Sequence, residues 1–337
     1  MLLFAEFDEP LIRSHVAEFL AASGRGGSFS VHCLHRSFDG ERAQRVFAVR
    51  LEDGATVILK KNFNTPSRWI AREYHLFERL VPHFATAGAC SIVKPLYLGR
   101  DESFHVTGFQ AGRTATDVLR SAPPQAQANQ VFRRAGRWLD HMHRLQPAGE
   151  ESLTVDRVFE RLQEQAAEGG RVLPCADAPL WAALQRDAGR VQGRPCPVVF
   201  AHGDYHSGNL ILAPGTACGL DLAYAAEQPA IHNVTSFLLA DLNLACDPAE
   251  IGPGAVRRQS VAFFFKTYRL PLDRALLNFL LRAGVLRELA RVENRALACA
   301  QDHGQDQAKD QARIGYLRRA GTLRRRLTHA FAQPLDG

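Results

Sequence analysis

The chain has 337 residues, of which 46% are hydrophobic and 23% charged, as in an ordinary soluble globular protein with room for two lobes. No apolar run is long enough to span a bilayer, and the N-terminus lacks the basic start of a secretory signal, so we expect a cytoplasmic protein without membrane insertion. The net charge of +6 is modest, and the seven cysteines form no C-x-x-C pair, which argues against disulfides and a cysteine zinc site.

The first third of the chain predicts a small sheet accompanied by two helices. Residues 8–23 have the apolar spacing of a helix. Five strand-like runs follow, at 29–38, 43–51, 55–61, 91–98 and 103–109. Asp-Gly pairs at 39–40 and 53–54 mark turns between the first three runs, as in hairpins. These patterns predict a five-stranded sheet.

Charged residues lie within two of the predicted elements of this region, a strand and a helix. Lys60 and Lys61 are adjacent on a predicted strand, so their side chains point to opposite faces of the sheet. Thr65-Pro66 is a good helix start, and Glu73 lies within the apolar stripe of the helix that follows. A carboxylate inside an apolar stripe is costly unless a positive charge neutralises it.

Most of the rest of the chain predicts helices. Helical spacing recurs over 131–145, twice within 150–192, and over 234–330. One of these helices carries acidic residues four apart, which form one stripe: Asp156, Glu160, Glu164 and Glu168. The stripe is either a site for a cationic ligand or a solvated face partly paired with arginines, and we favour the solvated face.

Residues 198–224 interrupt the helices with apolar runs that enclose polar side chains. The runs at 198–201, 210–213 and 219–223 predict short strands. The first connecting loop carries His202, Asp204, His206 and Asn209. Asp221 lies in the third run, where a carboxylate must be paired or bind a metal. An acid, an amide and a second acid suit phosphoryl transfer, in which one acid orients the attacking hydroxyl while the others hold magnesium.

These residues resemble a known family. His202-Gly203-Asp204, followed after four residues by Asn209, resembles the catalytic loop of protein-kinase-like phosphotransferases, with Gly in place of Arg. The His-Gly-Asp form and the acid at Asp221 resemble the aminoglycoside phosphotransferase and choline kinase superfamily. The resemblance covers roughly residues 29–239.

The resemblance implies an α+β, bilobal protein-kinase-like fold. Residues 1–110 would form a small N-lobe with an N-terminal helix, a five-stranded antiparallel sheet and one long helix. Residues 111–337 would form a larger, mostly helical C-lobe that contains the catalytic loop 202–209 and Asp221.

The resemblance also implies roles for the principal polar residues. Asp204 would orient the acceptor hydroxyl and take its proton. Asn209 and Asp221 would bind Mg²⁺. Lys60, on a Val-Ile-Leu-Lys strand like that of kinases and held by Glu73, would bind the α- and β-phosphates of ATP or GTP.

Further roles follow from the same resemblance. The turn that covers the phosphates would contain Ser37 and Gly40, although it has one glycine where the family has more. The backbone of Gln110 and Ala111 would receive the nucleotide base. Three residues would support the loop or the acceptor side: His202, His206 and Asn233. Asn233 stands where the family has an aspartate that braces the loop.

We therefore expect transfer of the γ-phosphoryl group of ATP or GTP to a hydroxyl of a small molecule, such as an aminoglycoside or a related antibiotic whose modification confers resistance. We expect a monomer or homodimer and no nucleic-acid partner. Three alternatives stay open. The first is a pseudokinase, suggested by the single glycine of the phosphate turn and by Asn233. The second is a metal-dependent hydrolase that uses His202, Asp204 and His206. The third is a nucleic-acid binder that uses the C-terminal arginine cluster, at 318–319 and 324–326.

Overall fold

The computed structural model describes residues 5–36, 44–63, 68–167, 177–301 and 307–336. Contacts between Cα atoms group the chain into two compact units. The first contains Met1–Arg113 and Asn209–Ala225, and the second contains Thr114–Gly208 and Ala226–Gly337. The segment that carries Asn209 and Asp221 therefore groups with the N-terminal part of the chain. The lobe boundary after residue 110 stays a prediction.

Strands and helices alternate in the first part of the chain, and helices predominate later. The strands are β1 (Phe29–Arg36), β2 (Gln44–Leu51), β3 (Thr56–Asn62), β4 (Cys90–Ile92), β5 (Pro95–Leu98), β6 (Phe104–Gly108), β7 (Arg113–Thr114), β8 (Pro147–Ser152), β9 (Pro195–Ala201), β10 (Leu210–Ala213), β11 (Thr216–Gly219) and β12 (Ala226–Pro229). The α-helices are α1 (Ala5–Ala22), α2 (Arg68–Ala85), α3 (Ala115–Arg120), α4 (Gln125–His143), α5 (Asp156–Ala167), α6 (Ala178–Val191), α7 (Ala230–Leu238), α8 (Arg258–Phe265), α9 (Arg274–Gln301) and α10 (Gln307–Phe331).

The first unit is built on a five-stranded antiparallel sheet with the order β1-β2-β3-β6-β5. Helix α1 packs on this sheet because its apolar stripe meets the apolar residues that alternate along the strands. The shared core consists of Ile12, Val16, Phe19, Leu20, Phe47, Val49, Leu51, Val57, Leu59, Phe104 and Val106. The predicted sheet and the α+β fold class are confirmed.

One predicted strand, residues 91–98, is two separate strands. The chain leaves β4 at Ile92 and begins β5 at Pro95. Pro95 has no N–H to donate and restricts the residue before it, which favours a break at this point. As a result β5 joins the five-stranded sheet, whereas β4 pairs in parallel with β11 in a second sheet of order β4-β11-β10-β7.

The predicted strand over 219–223 is wrong. Strands β10 and β11 form a hairpin around Pro214-Gly215, and β11 ends at Gly219. Asp221 has φ +53°, in the left-handed region, which is incompatible with extended backbone. The apolar pattern continued beyond the strand, but the backbone turns at the acid itself.

The second unit combines helices with a small antiparallel sheet of order β12-β9-β8. The two helices predicted within 150–192 are present as α5 and α6. Strand β8 was missed because its Glu150-Glu151 pair does not resemble a strand of the core. None of the described helices is long and apolar enough to cross a bilayer.

A buried carboxylate joins distant parts of the second unit. The Asp241 side chain is 0% exposed, and its oxygens lie 2.7 Å from Arg257 Nε and 2.7 Å from Arg326 Nη1. Ser260 Oγ donates to the same carboxylate at 2.6 Å. Arg326 belongs to the C-terminal arginine cluster, and Arg324 of that cluster bonds Asp177 and Glu293. These two arginines therefore have structural partners within the unit.

We predict that Asp241→Asn lowers the free energy of unfolding by about 3–5 kcal/mol, because it leaves two buried guanidiniums without their counter-charge. Urea denaturation measures the loss. Glu160→Gln removes a charge from an exposed position in the same unit and is expected to change the stability by less than about 0.5 kcal/mol. Equal stability of the two variants would contradict this account of the core.

Candidate functional site

In the first unit, the Lys60 ammonium lies between two carboxylates. Lys60 Nζ is 2.8 Å from Glu73 Oε2 and 3.0 Å from Asp221 Oδ1. The side chains of Lys60 and Glu73 are 8% and 2% exposed, whereas that of Asp221 is 37% exposed. Burial alone would discharge the lysine, but the two carboxylates outweigh it and raise the pKa of Lys60 above its usual value. The lysine is therefore charged at neutral pH.

Glu73, in the middle of α2, connects three other elements of this unit. Its Oε2 also lies 3.1 Å from His105 Nε2, on β6. Its Oε1 accepts a hydrogen bond from Leu222 N at 3.0 Å, immediately after Asp221. Burial opposes the charge of the carboxylate, but Lys60 and His105 hold the pKa of Glu73 well below its usual range. One carboxylate thus orients both Lys60 and the backbone beside Asp221.

Asn209 and Asp221 flank the base of the β10–β11 hairpin. Asn209 O accepts a hydrogen bond from Leu220 N at 2.9 Å, next to the Leu210–Gly219 pair of the hairpin. Asp221 Oδ2 has no hydrogen-bond partner among the residues described, and the side chain reaches solvent. An amide and a carboxylate supply oxygen ligands of the kind that Mg²⁺ prefers. The residues present therefore fit a magnesium ion.

In the second unit, hydrogen bonds hold the start of the loop 202–209. His202 N donates to Asn233 Oδ1 at 2.8 Å, and His143 Nε2 lies 3.4 Å from the same oxygen. The buried His202 ring lies against Trp138 and Tyr205, and Tyr205 donates its hydroxyl hydrogen bond to a carbonyl of α4 at 2.9 Å. Asn233 thus holds the loop backbone, the role that the resemblance gives to an aspartate at this position.

Asp204 and His206 lie further along this loop, and both are about half exposed. Asp204 Oδ2 is 3.6 Å from His206 Nε2. Gly208 N donates to His206 Nδ1 at 3.0 Å, so the neutral ring carries its proton on Nε2, facing the carboxylate. At this distance the two groups are close without a hydrogen bond, and Asp204 stays accessible.

Asp204 lines a cavity of about 320 Å³ within the second unit. Helices α5, α7 and α9 contribute Arg161, His232 and Arg287 to its wall. Burial and the charge of Arg161 lower the pKa of His232 to about 4, so this ring is neutral at neutral pH. These three residues were not predicted to belong to a site, because no local pattern in the sequence shows which helix faces enclose a cavity.

The other predicted site residues lie elsewhere in the first unit. Gln110 and Ala111 follow β6 and lie near the surface, and Gln110 Nε2 donates to Ala111 O at 3.1 Å. The next residue, Gly112, has φ +143°, and a Cβ there would lie 2.7 Å from Leu212 O, so glycine is required. Ser37 and Gly40 fall outside the described residues. Lys61 is buried away from Lys60 and bonds Ser103.

The hydrolase alternative rested on His202, Asp204 and His206 as metal ligands. His202 is fully buried, and its Nδ1 lies 3.4 Å from the backbone N of Asp204. Within the described ranges, no three or more His, Cys, Asp or Glu side chains are grouped to hold a metal ion. The geometry of this loop therefore argues against a metal site formed by His202, Asp204 and His206.

Comparison with known proteins places these features in a family. Residues 35–263 match the phosphotransferase enzyme family APH. No curated protein sequence matches the chain.

Solved structures share the fold at low sequence identity. Amicoumacin kinase hAmiN, in complex with AMP-PNP, Ca²⁺ and Ami, is 16% identical, with 97% of each chain covered and a TM-score of 0.54. APH(2″)-IIia, in complex with GDP and kanamycin, is 13% identical over 92% of this chain and 98% of that one, with a TM-score of 0.53. A choline/ethanolamine kinase family protein from Mesorhizobium loti is 14% identical over 96% and 99%, with a TM-score of 0.52.

These structural likenesses establish the fold and leave the acceptor open, because all three identities are far below 25%. The family match carries more weight, since it spans well over half of the chain. It also agrees with the resemblance drawn from the catalytic loop. The chain belongs to the APH phosphotransferase enzyme family.

Proposed function

We propose that this protein transfers the γ-phosphoryl group of ATP or GTP to a hydroxyl group of a small molecule. The observation that carries the proposal is the buried Lys60 ammonium between Glu73 and the exposed Asp221. Phosphoryl transfer depends on positioning and on charge stabilisation, and a fixed ammonium beside an accessible carboxylate supplies both.

The first unit would bind the nucleotide. Lys60 would donate hydrogen bonds to the α- and β-phosphates, in the orientation that Glu73 gives it. Asn209 and Asp221 would hold Mg²⁺, which when bound supplies a counter-charge to the phosphate oxygens. The backbone near Gln110 and Ala111 would receive the base, and the turn of Ser37 and Gly40 would cover the phosphates. Both adenine and guanine nucleotides occur in the related structures, so ATP and GTP are both proposed donors.

The second unit would supply the acceptor side. Asp204 would accept a hydrogen bond from the acceptor hydroxyl and take its proton as the bond to phosphorus forms. His206 would stand beside Asp204, with its Nε2 3.6 Å from the carboxylate, and Asn233 would fix the loop through His202. The substitution at Asn233 had suggested a pseudokinase, but an amide oxygen serves as well as a carboxylate for this contact.

The proposed acceptor is a small molecule with a hydroxyl group. One related structure holds kanamycin, one is of amicoumacin kinase and one is of a choline/ethanolamine kinase family protein. Kanamycin, choline and ethanolamine differ widely in size, and they share a hydroxyl group and a positively charged nitrogen. An antibiotic or related natural product stays our proposed acceptor class, with resistance as its consequence.

We predict that Asp204→Asn lowers kcat by roughly 10²–10⁴-fold, because the general base is lost. The Kd of the Asp204→Asn variant for the magnesium nucleotide is expected to stay unchanged, since Asp204 is not among the proposed phosphate-binding residues. ADP or GDP release, with an acceptor found by screening hydroxyl compounds, measures the rate. Asp156→Asn is the control, an exposed acid of the same unit that does not line the cavity. Turnover of Asp204→Asn near that of the control would rule out the role given to Asp204.

We also predict a distinctive acid sensitivity from Glu73. Its folded-state pKa is lower than the ordinary 4.5, so its stabilisation is fully present above about that pH and is lost as the pH falls through the folded value. Glu73→Gln is expected to lose about 3–5 kcal/mol of stability at neutral pH and to bind the nucleotide more weakly.

Urea denaturation between about pH 3 and pH 7 checks this prediction, because the wild type and Glu73→Gln should converge in stability toward the acid end. Glu78→Gln is the matched control, an exposed glutamate on the same helix. Wild-type and Glu73→Gln curves that stay parallel over the whole range would show that the charge of Glu73 is not held as described.

A further inference from the structure

Two arginines line the cavity beside Asp204. Arg161 projects from α5 and Arg287 from α9, and both line the cavity together with Asp204. Neither guanidinium forms a hydrogen bond or ion pair with any residue that the structure describes. Elsewhere in the same unit, Arg282 binds Asp187 at 2.5 Å and Arg257 binds Asp241 at 2.7 Å. The cavity arginines thus differ from the structural ones.

Their surroundings concentrate positive charge. Burial and the charges of Arg161 and Arg291 lower the pKa of Arg287, and the charge of Glu288 opposes them. Asp204 is the one acidic side chain among the lining residues described. If Asp204 is occupied with the reacting hydroxyl, the rest of the wall presents two positive charges and no negative charge to a ligand.

A second cavity of about 370 Å³ continues the cationic surface. It shares Arg287, Gly284, Ser236 and Leu239 with the first cavity, so Arg287 stands on the wall between them. Three further arginines line it, namely Arg120, Arg291 and Arg319. A single carboxylate, Glu288, pairs with Arg291 at 2.6 Å and with Arg319 at 3.0 Å. Arginines therefore outnumber acids along both cavities.

The acidic stripe of α5 does not change this balance. Asp156, Glu160 and Glu164 are exposed and do not line either cavity, whereas Arg161 of the same helix does. The structure thus supports a solvated face for the described part of the stripe. A polycationic ligand at Asp204 would meet two arginines instead of carboxylates, and like charges at short range are repulsive.

We propose that the acceptor is an acid, whose reacting hydroxyl lies at Asp204 and whose carboxylate or phosphate group binds Arg161 and Arg287. This inference rests on the proposed function and narrows its acceptor class. Guanidinium groups suit this task because their fork of N–H donors matches the oxygens of a carboxylate or phosphate. The unpartnered guanidiniums are then the binding groups for the acid.

The reaction balances without any further reactant. The acceptor oxygen forms a bond to the γ-phosphorus as the bond from that phosphorus to the β–γ bridging oxygen breaks. The nucleoside diphosphate leaves with the electron pair of the broken bond, and the hydroxyl proton passes to Asp204. The acid group of the acceptor takes no part in these bond changes and serves only to place the hydroxyl.

Matched hydroxyl compounds that differ in charge test this inference. One set is glucose, glucuronate, a glucose monophosphate and glucosamine, and the other is glycerol, glycerate, glycerophosphate and serinol, with kanamycin as a polycation. Calorimetric Kd values and the unfolding temperature are measured on the full chain with magnesium and AMP-PNP or GMP-PNP present. We expect an acid to bind more tightly than its neutral parent and its amine. Comparison of carboxylate with phosphate members identifies which acid group the site prefers.

Variants localise the effect. Arg161→Ala and Arg287→Ala are each expected to weaken binding of the acid by roughly tenfold to a hundredfold, the usual range for a hydrogen bond to a charged group. Arg157→Ala on α5 and Arg295→Ala on α9 remove the same charge from exposed positions outside both cavities and should leave the Kd unchanged.

The outcomes separate this inference from the proposed function. Three results would overturn the inference. The first is tighter binding of the neutral or cationic compounds, and the second is the same Kd for every charge class or no binding of any of them. The third is acid binding by both Arg161→Ala and Arg287→Ala that is as tight as in the wild type. Phosphorylation of a neutral or cationic acceptor would overturn the inference and leave the function standing. Arginine-dependent acid binding without any release of nucleoside diphosphate would uphold the anion site and count against phosphoryl transfer.

Discussion

A lysine ammonium held between two carboxylates is the interaction on which the first unit depends. Lys60 is too deeply buried to carry its charge alone, and Glu73 and Asp221 make that charge stable. Glu73 also bonds His105 and the backbone of Leu222, so a strand, a helix and the segment after β11 are positioned by one side chain. Only Asp221 reaches solvent, with an oxygen that is open to a ligand. The geometry thus combines a buried ion pair with one solvent-accessible carboxylate.

In the second unit, arginines surround a buried carboxylate, whereas in the first unit two carboxylates surround a lysine. The buried arginines of the second unit, such as Arg257 and Arg326, are matched by Asp241, and these pairs stabilise the helices around them. The arginines that line the cavities outnumber the acids there, and the acid group of the proposed acceptor would balance this excess of positive charge. The loop 202–209 carries the chain from this unit to the first, with Asp204 on one side of the junction and Asn209 on the other.

The features that depend on residues close together in the sequence were predictable from the sequence. The family and the α+β fold followed from the catalytic-loop spacing and the strand periodicity, and a carboxylate in the apolar stripe of α2 implied a cationic partner for Glu73. The nucleotide and catalytic roles of these residues stay predictions. The strand proposed over 219–223 failed because the apolar pattern does not encode the left-handed turn at Asp221. Arg161 and Arg287 were not assigned to a site, and Arg326 was not expected to be buried, because the partners of an arginine depend on helices that are distant in sequence.

The central claim is that Lys60, Asn209 and Asp221 bind the phosphates of a nucleotide together with magnesium. Calorimetric titration of the wild-type protein with AMP-PNP and with GMP-PNP, each with and without Mg²⁺, tests it most directly. The account predicts saturable binding of at least one analogue, with an affinity that rises when magnesium is present. Binding of neither analogue, or binding that is indifferent to magnesium, would contradict it.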